Sequence, residues 1–307
     1  MMHEVTPEEI TAASRRIEGH VRRTPVLDAG HLLGDFSLLF KLEQLQVGGS
    51  FKPRGAFSVL TAADVPESGV VAASGGNFGI AVAHAASRLG MPATIFVPES
   101  SPEEKIAGIR RHGAQVEVIP GYYDDALAAS RRHAGQTGAF EAHAYDQREV
   151  VAGQGTLALE LEDQEGFDDV IVAVGGGGLI GGIASWLRER AVVVAAEPIV
   201  CQSLHASLAA GHRVQVDVGG VAASSLGART VGEHPWAARR WIDRSVVVTD
   251  QAITEAQRWI WEELRLAVEP AAATPVAALR TGAYIPISGA RVVVVLSGAN
   301  HDPSTVA

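Results

Sequence analysis

Short runs of β-branched residues alternate with helical patterns along the whole chain, and this alternation constrains the fold more than any other feature. It predicts mainly parallel sheets wrapped by helices, the α/β class. The strand candidates are LLFKL (38–42), VVAAS (70–74), ATIFV (93–97), QVEVI (115–119), DVIVAV (169–174), AVVVAAE (191–197), SVVVT (245–249) and RVVVVLS (291–297). Residues 68–143 contain a compact βαβαβα set of their own, so we expect a small domain there. Residues 1–67 and 144–307 would form a larger domain.

The first helix carries sequence signals at both ends. Thr6, Pro7 and Glu9 have the spacing of an N-cap, a first-turn proline and a capping-box acid. We expect this helix to end near Gly19.

Composition and charge limit the classes of partner. The 307 residues include 25 basic and 35 acidic ones, a net charge of −10 without basic blocks, which gives no support to nucleic-acid binding. The chain has no long uncharged apolar stretch and an acidic N-terminus, so we expect a cytoplasmic protein with no membrane partner. Cys201 is the only cysteine, which excludes an internal disulfide bond.

One lysine and three glycine-rich turns indicate the chemistry. Lys52 lies in SFKPRGAF (50–57), and the turns are SGGNFG (74–79), GGGGLIGG (175–182) and SGAN (297–300), each at the end of a strand candidate. Glycines at a strand end let backbone N–H groups close on an anion, and a following helix adds the positive end of its dipole. A nucleophilic lysine combined with such turns predicts an enzyme that binds pyridoxal phosphate.

A nicotinamide dinucleotide is an alternative ligand for the second turn. Gly176, Gly178 and Gly181 match GxGxxG, and Glu197 ends the next strand, where a dinucleotide fold often keeps its ribose-binding acid. A lone GxGxxG is weak evidence, and this one lies in mid-chain among four consecutive glycines. The residues alone leave this alternative open.

The order and approximate spacing of SFKPRGA, SGGNFG, the strand-end GGGG and SGAN resemble those of the fold-type II pyridoxal-phosphate enzymes. The chain is most similar to their serine/threonine dehydratase and serine racemase branch, because its lysine motif has the form FK-x-RGA. This similarity runs from the RTP at 23–25 to SGAN. It implies the two-lobed α/β fold of that family, bound pyridoxal 5'-phosphate and, by family habit, a homodimer.

The resemblance also implies a role for each motif residue. Lys52 would bind the cofactor aldehyde covalently and later take the Cα proton. Phe51 would cover one ring face, and Asn77 would hydrogen-bond the phenolic oxygen. The phosphate would be bound by Gly175, Gly176, Gly177 and Gly178. The substrate carboxylate would be held by main-chain N–H groups of Ser74, Gly75, Gly76, Asn77 and Phe78.

Ser297 would place a hydroxyl on the pyridine nitrogen. A neutral donor leaves that nitrogen largely unprotonated, whereas an aspartate would keep it cationic and make the ring a stronger electron sink. The weaker sink favours elimination.

Several departures from the family pattern bear on activity. Racemases of this branch typically have a second serine, an acid/base group, where this chain has Gly75. The family's divalent-cation site maps to Glu197, the Cys201 carbonyl and Ser203, so its second acid is missing and Glu197 is only a possible ligand. The ADG-like turn has Ser224 in place of aspartate, and the EP-x-GA motif has Ala272 in place of glycine.

The sequence therefore predicts a pyridoxal-phosphate-dependent lyase that eliminates water from L-threonine or L-serine to give a 2-oxo acid and ammonia. An amino-acid racemase or a β-replacement enzyme on the same scaffold is the nearest alternative. A nicotinamide oxidoreductase and a non-catalytic pyridoxal-phosphate-binding protein are alternatives from other classes.

Overall fold

The computed structural model describes residues 4–305. Its strands are β1 (Val26–Asp28), β2 (Ser37–Lys41), β3 (Val70–Ala73), β4 (Ala93–Pro98), β5 (Gln115–Ile119), β6 (Phe140–Glu141), β7 (Asp169–Ala173), β8 (Val192–Pro198), β9 (Arg244–Val248) and β10 (Arg291–Val295). Its helices are α1 (Pro7–Ile17), α2 (Lys52–Ala62), α3 (Asn77–Leu89), α4 (Glu103–Arg110), α5 (Tyr123–Thr137), α6 (Arg148–Gln164), α7 (Gly178–Leu187), α8 (Ser203–Ala210), α9 (Ala223–Leu226), α10 (Glu233–Ala237), α11 (Asp250–Leu264) and α12 (Pro270–Arg280). None of these helices combines the length and the apolar character that crossing a membrane requires.

Two sheets carry the fold. The larger has six strands in the order β1-β2-β10-β7-β8-β9, with β1 antiparallel to β2 and every other neighbouring pair parallel. The smaller has four parallel strands in the order β5-β4-β3-β6. Alternate residues of β10 enter different apolar clusters, Val292 and Val294 on one face and Val293 and Val295 on the other, so the larger sheet is buried on both faces. The predicted α/β class with mainly parallel sheets is confirmed.

All of the predicted strands are present, with ends within two residues of the predicted ones. The sequence prediction missed β1 and β6, which have three and two residues and are too short to show a period-two pattern. The strands β3 to β6 that build the smaller sheet all lie within the predicted small domain, residues 68–143. The domain boundaries themselves stay a prediction.

The predicted start of α1 is confirmed in atomic detail. The Thr6 hydroxyl accepts a hydrogen bond from the Glu9 N–H at 3.3 Å, and the Glu9 carboxylate accepts one from the Thr6 N–H at 2.7 Å. Pro7 occupies the first helical position, where a missing N–H costs nothing. The helix ends at Ile17, close to the predicted Gly19.

Helix α6 packs against α2 and α7 with unusually close backbone contact, and glycines make this possible. A Cβ built on Gly153 would lie 2.4 Å from the Arg54 carbonyl oxygen, so α2 and α6 touch through their main chains. A Cβ built on Gly182 would lie 2.4 Å from the Val151 carbonyl oxygen and 2.5 Å from the Gly155 nitrogen, which brings α6 and α7 equally close. The crossing helices therefore have no room for side chains at these positions.

Alanine at Gly153 should lower the free energy of unfolding by about 1–3 kcal/mol, the usual cost of forcing extra atoms into a packed interior. Gly135 is a matched control, because it lies exposed in α5 and a Cβ built there meets no atom within 4 Å. Gly135→Ala should instead raise the free energy of unfolding by about 0.5–1 kcal/mol. Urea denaturation of both variants measures the difference. Equal stabilities would contradict the close packing of α2 on α6.

Candidate active site

Lys52 begins α2, and the backbone just before it is anchored to the end of β10. Ser50 pairs with Gly298 in an isolated β-bridge, and the Phe51 N–H donates to the Ser297 carbonyl oxygen at 3.1 Å. The lysine motif and the SGAN turn, far apart in sequence, are therefore joined by main-chain hydrogen bonds.

The Lys52 amine lies among apolar and main-chain groups. It donates to the Ala144 carbonyl oxygen at 3.0 Å and lies 5.0 Å from the ring centre of Phe51 and 5.7 Å from that of Phe78. Burial lowers the pKa of Lys52 to about 8, and the negative charge of Glu269 opposes part of this fall. An appreciable fraction of the amine is therefore neutral near physiological pH, as a nucleophile or base requires.

Arg54, in the same motif, holds the start of α2 through buried ion pairs. Its guanidinium binds both carboxylate oxygens of Glu43, at 2.7 and 2.8 Å, and one oxygen of Glu160 at 2.9 Å. The Lys41 ammonium binds the other oxygen of Glu160 at 2.6 Å, and the Thr24 hydroxyl donates to Glu43. Burial alone would lower the pKa of Arg54, but the two carboxylates outweigh it and raise that pKa above its usual value. The arginine of the motif is thus a structural group.

The SGGNFG turn ends β3 and begins α3. Gly76 is the N-cap residue, in an extended conformation, and its N–H donates to the Ser74 hydroxyl at 3.2 Å. The first N–H groups of a helix have no acceptor within it, and they carry the positive end of the helix dipole. The turn therefore offers the kind of anion site that the predicted substrate carboxylate needs.

Asn77 joins the SGGNFG and SGAN turns to a buried acid. Its side-chain amide donates to both oxygens of Glu269, at 2.8 and 3.1 Å, and its oxygen accepts from Asn300 at 2.9 Å. Glu269 also accepts from the Ser225 hydroxyl at 3.1 Å. Gly298 leaves space for this acid, because a Cβ there would lie 2.6 Å from Glu269 Oε1. The side chain of Asn77 forms these bonds instead of capping α3.

The GGGG turn at the end of β7 has the backbone that a phosphate site requires. Gly177 has a φ of 87°, a conformation that favours glycine, and α7 follows directly. A Cβ on Gly176 would lie 2.3 Å from the Tyr145 ring, so that ring covers one side of the turn. Tyr145 follows Ala144, whose carbonyl oxygen binds Lys52, so one short segment connects the turn and the amine. Sequence reasoning missed Tyr145, since nothing local marks it.

Ser297 is a buried residue two positions beyond the end of β10. The residue is 4% exposed, and within residues 4–305 its side chain has no hydrogen-bond partner. The hydroxyl oxygen is not among the fully buried atoms that lack a partner, so it keeps contact with open space and can bond a ligand atom that enters the site. The hydroxyl is therefore suited to the predicted contact with a pyridine nitrogen. Together with Lys52 and the GGGG turn, it fits a phosphorylated pyridine aldehyde.

Glu197 lies in a separate cluster behind the GGGG turn. Its two oxygens accept from the N–H groups of Leu204 and His205, at 2.9 and 2.7 Å, at the start of α8. Burial raises the pKa of Glu197 to about 8 despite these bonds. Ser203, at the position of the missing acid, donates to the Gly175 carbonyl oxygen at 2.9 Å. Within the described part of the chain, no three His, Cys, Asp or Glu side chains are placed to hold a metal ion.

Comparisons with known proteins identify the family of the chain. Residues 17–298 match the family described as pyridoxal-phosphate dependent enzymes. The chain is 36% identical to an L-threonine ammonia-lyase of Geobacter sulfurreducens, over 97% of this chain and 76% of the relative. It is 36% identical to a phenylserine dehydratase of Ralstonia pickettii, over 97% of this chain and 94% of that relative. The structure of maize serine racemase superposes with a TM-score of 0.93 at 31% identity, covering 100% of this chain and 96% of that one.

The fold and these matches define a fold-type II pyridoxal-phosphate enzyme. The chain belongs to the pyridoxal-phosphate-dependent enzyme family. Its cofactor is pyridoxal phosphate rather than a nicotinamide dinucleotide. The Glu197 carboxylate, which the dinucleotide alternative would have used to bind a ribose, accepts hydrogen bonds from backbone N–H groups instead.

The lowered pKa of Lys52 predicts how the apoprotein captures its cofactor. The rate of covalent attachment, trapped by borohydride and measured by mass spectrometry, should rise with pH and level off above the Lys52 pKa of about 8, because only the neutral amine attacks the aldehyde. Lys52→Ala should give no adduct. A rate that still rises towards the ordinary lysine pKa of about 10.4 would contradict the environment described for this amine.

The Glu197 cluster predicts weak dependence on divalent cations. EDTA should shift the melting temperature and the activity only slightly, because Glu197 binds backbone N–H groups and Ser203 carries no charge. Ser203→Asp should create a requirement for Ca²⁺ or Mg²⁺, since a second carboxylate would then face the Gly175 carbonyl oxygen. Melting curves with EDTA and with each cation measure both effects. A large, cation-reversible loss of wild-type stability would show that other ligands complete a metal site.

Proposed function

We propose that the protein is a lyase that eliminates water from a β-hydroxy amino acid and releases a 2-oxo acid and ammonia. L-threonine and L-serine are the first substrates to test. The observation that carries this proposal is the neutral, unpartnered hydroxyl of Ser297 just beyond β10. Pyridoxal phosphate supplies an electron sink for the Cα carbanion, and a neutral partner on its nitrogen tempers that sink, which favours loss of a β-leaving group. The threonine ammonia-lyase and phenylserine dehydratase among the relatives support the same reaction class.

Some residues of the site would bind the substrate, and others would transfer protons. The main-chain N–H groups of residues 74–78 hold the substrate carboxylate at the start of α3. The Lys52 amine takes the Cα proton, and the Ala144 carbonyl oxygen then holds the ammonium that forms. Glu269 stabilises that ammonium through its charge. The Cα–H and Cβ–O bonds break as a Cα=Cβ bond forms, and the hydroxyl leaves as water with a proton equivalent to the one taken from Cα. A second water then hydrolyses the Cα–N bond, which releases ammonia and the 2-oxo acid.

Racemisation is the second candidate, because a hydroxyl occupies the space beside Gly75. A Cβ on Gly75 would lie 1.8 Å from Ser101 Oγ and 2.6 Å from Ser101 Cβ. Ser101 therefore stands where a side chain at position 75 would stand, and it offers the same group as the serine that racemases of this branch carry there. A fixed hydroxyl is a better proton donor than mobile water. Gly75→Ser alone would force Ser101 to move.

One assay separates the two reactions. Wild type with L-serine or L-threonine should release 2-oxo acid faster than the D-isomer or epimer accumulates, as measured by chiral chromatography of the residual amino acid. Lys52→Ala should abolish both reactions and keep the wild-type circular dichroism spectrum. The double variant Gly75→Ser, Ser101→Gly should raise the racemised share more than Gly75→Ser alone, because it removes the collision.

The result that would reverse the assignment is D-serine forming from the wild-type enzyme as fast as pyruvate. Ser101→Ala should then suppress the D-serine selectively, by about a hundredfold for a lost general acid.

The proposal includes a free amino acid as the partner molecule. A homodimer and a cytoplasmic location stay predictions.

A further inference from the structure

Lys105 is a buried cation beside the candidate site. It lies in α4 and is 6% exposed, and its ammonium is 3.4 Å from the hydroxyls of both Ser224 and Ser225. Among residues 4–305, no carboxylate lies within 4.0 Å of this ammonium. Two neutral hydroxyls at this distance are weak partners for a full charge.

Two other deeply buried cations, Lys41 and Arg54, have carboxylate partners. Lys41 binds Glu160 at 2.6 Å, and Arg54 binds Glu43 and Glu160 at 2.7 and 2.9 Å. Removal of a charge from water is costly unless an opposite charge replaces the lost hydration. Lysine is also rare in this chain: only three of its 25 basic residues are lysines. An uncompensated buried lysine in such a chain indicates that its counter-charge comes from a ligand.

A short series of contacts connects the Lys105 ammonium to the SGGNFG turn. The Ser224 carbonyl oxygen lies 3.2 Å from where a Cβ on Gly76 would be, so α9 touches the SGGNFG turn. The Ser225 hydroxyl donates to Glu269, which binds Asn77. Helix α9 therefore lies against both the Lys105 ammonium and the turn whose main-chain N–H groups would hold a substrate carboxylate.

Glu269 does not serve as the missing counter-charge. Its oxygens are taken by Asn77 and by the Ser225 hydroxyl, and its charge acts on Lys52. Ser224 and Ser225 carry no charge, so neither supplies a carboxylate to the Lys105 ammonium.

We propose that Lys105 binds a second carboxylate, on the side chain of the substrate, together with the hydroxyls of Ser224 and Ser225. The site would then accept β-hydroxy amino acids with an acidic side chain, such as 3-hydroxyaspartate. This specificity rests on the dehydration proposed above. The α-carboxylate lies on the SGGNFG turn and the second carboxylate on Lys105, so two separate anion sites recognise one dicarboxylic substrate. The Cα hydrogen and the Cβ hydroxyl leave together as water. A second water then hydrolyses the Cα–N bond, so the products are a dicarboxylic 2-oxo acid and ammonia.

The test compares two substrates and two variants of the holoenzyme. Lys105→Met removes the charge and keeps the length, and Ser224→Asp supplies an internal counter-charge. For each protein, kcat/KM is measured with 3-hydroxyaspartate and with L-threonine. The ratio of the two constants should fall by about tenfold to a hundredfold in both variants, as expected for loss of a hydrogen-bonded charge pair. Arg110→Met, an exposed change on the same helix, is the matched control and should leave the ratio at its wild-type value.

Binding of succinate to the holoenzyme, measured by calorimetry with butyrate as the monocarboxylate control, gives a readout that is independent of turnover. Lys105→Met should weaken succinate by about tenfold or more and should affect butyrate much less. If wild type dehydrates L-threonine but the substrate ratio and the succinate affinity do not change in Lys105→Met, the Lys105 proposal is wrong and the dehydratase proposal stands. If no substrate yields a 2-oxo acid, the dehydratase proposal fails, and the succinate measurement alone decides whether Lys105 binds a carboxylate.

Discussion

The buried ion pairs of Arg54 are the interaction on which the geometry of the site depends. Its guanidinium is 1% exposed and bridges Glu43, in the turn after β2, and Glu160, in α6. Removal of one partner from such a pair typically costs about 3–5 kcal/mol, so the three segments are held as one unit. Since Lys52 lies two residues before Arg54, this network fixes where α2 begins and where the amine lies.

Helix α6 connects the position of Lys52 to that of the GGGG turn. Both α2 and α7 press their backbones against it through glycines, among them Gly153 and Gly182. One of these helices begins at Lys52 and the other at the end of the GGGG turn. Backbone contacts of this kind have little freedom to adjust. The separation of the amine from the phosphate turn is therefore set by helix packing rather than by flexible side chains.

Local patterns predicted where the strands lie, where α1 begins, and that Lys52 and the glycine-rich turns are candidate site residues. Each of these patterns depends on fewer than about ten neighbouring residues. The contacts that complete the site join distant positions. Asn77 and Glu269 are 192 residues apart, and Lys105 and Ser224 are 119 residues apart. No short motif encodes such pairs. Ser101 shows the same limit, since only the fold brings it against Gly75.

Ser203 and Ser224, where the resemblance to the family leads us to expect acids, have different surroundings. At Ser203 the protein compensates internally, because the serine bonds to Gly175 while backbone N–H groups satisfy Glu197. At Ser224 nothing within the described residues replaces the lost charge, and Lys105 keeps only two hydroxyls at 3.4 Å. We expect Ser203 to make the protein depend little on a divalent cation, and we propose that the cation beside Ser224 is paired by an anionic ligand. Because α9 lies against both that cation and the SGGNFG turn, we expect the serine at position 224 to bear on substrate choice and the serine at position 203 to bear on cation dependence.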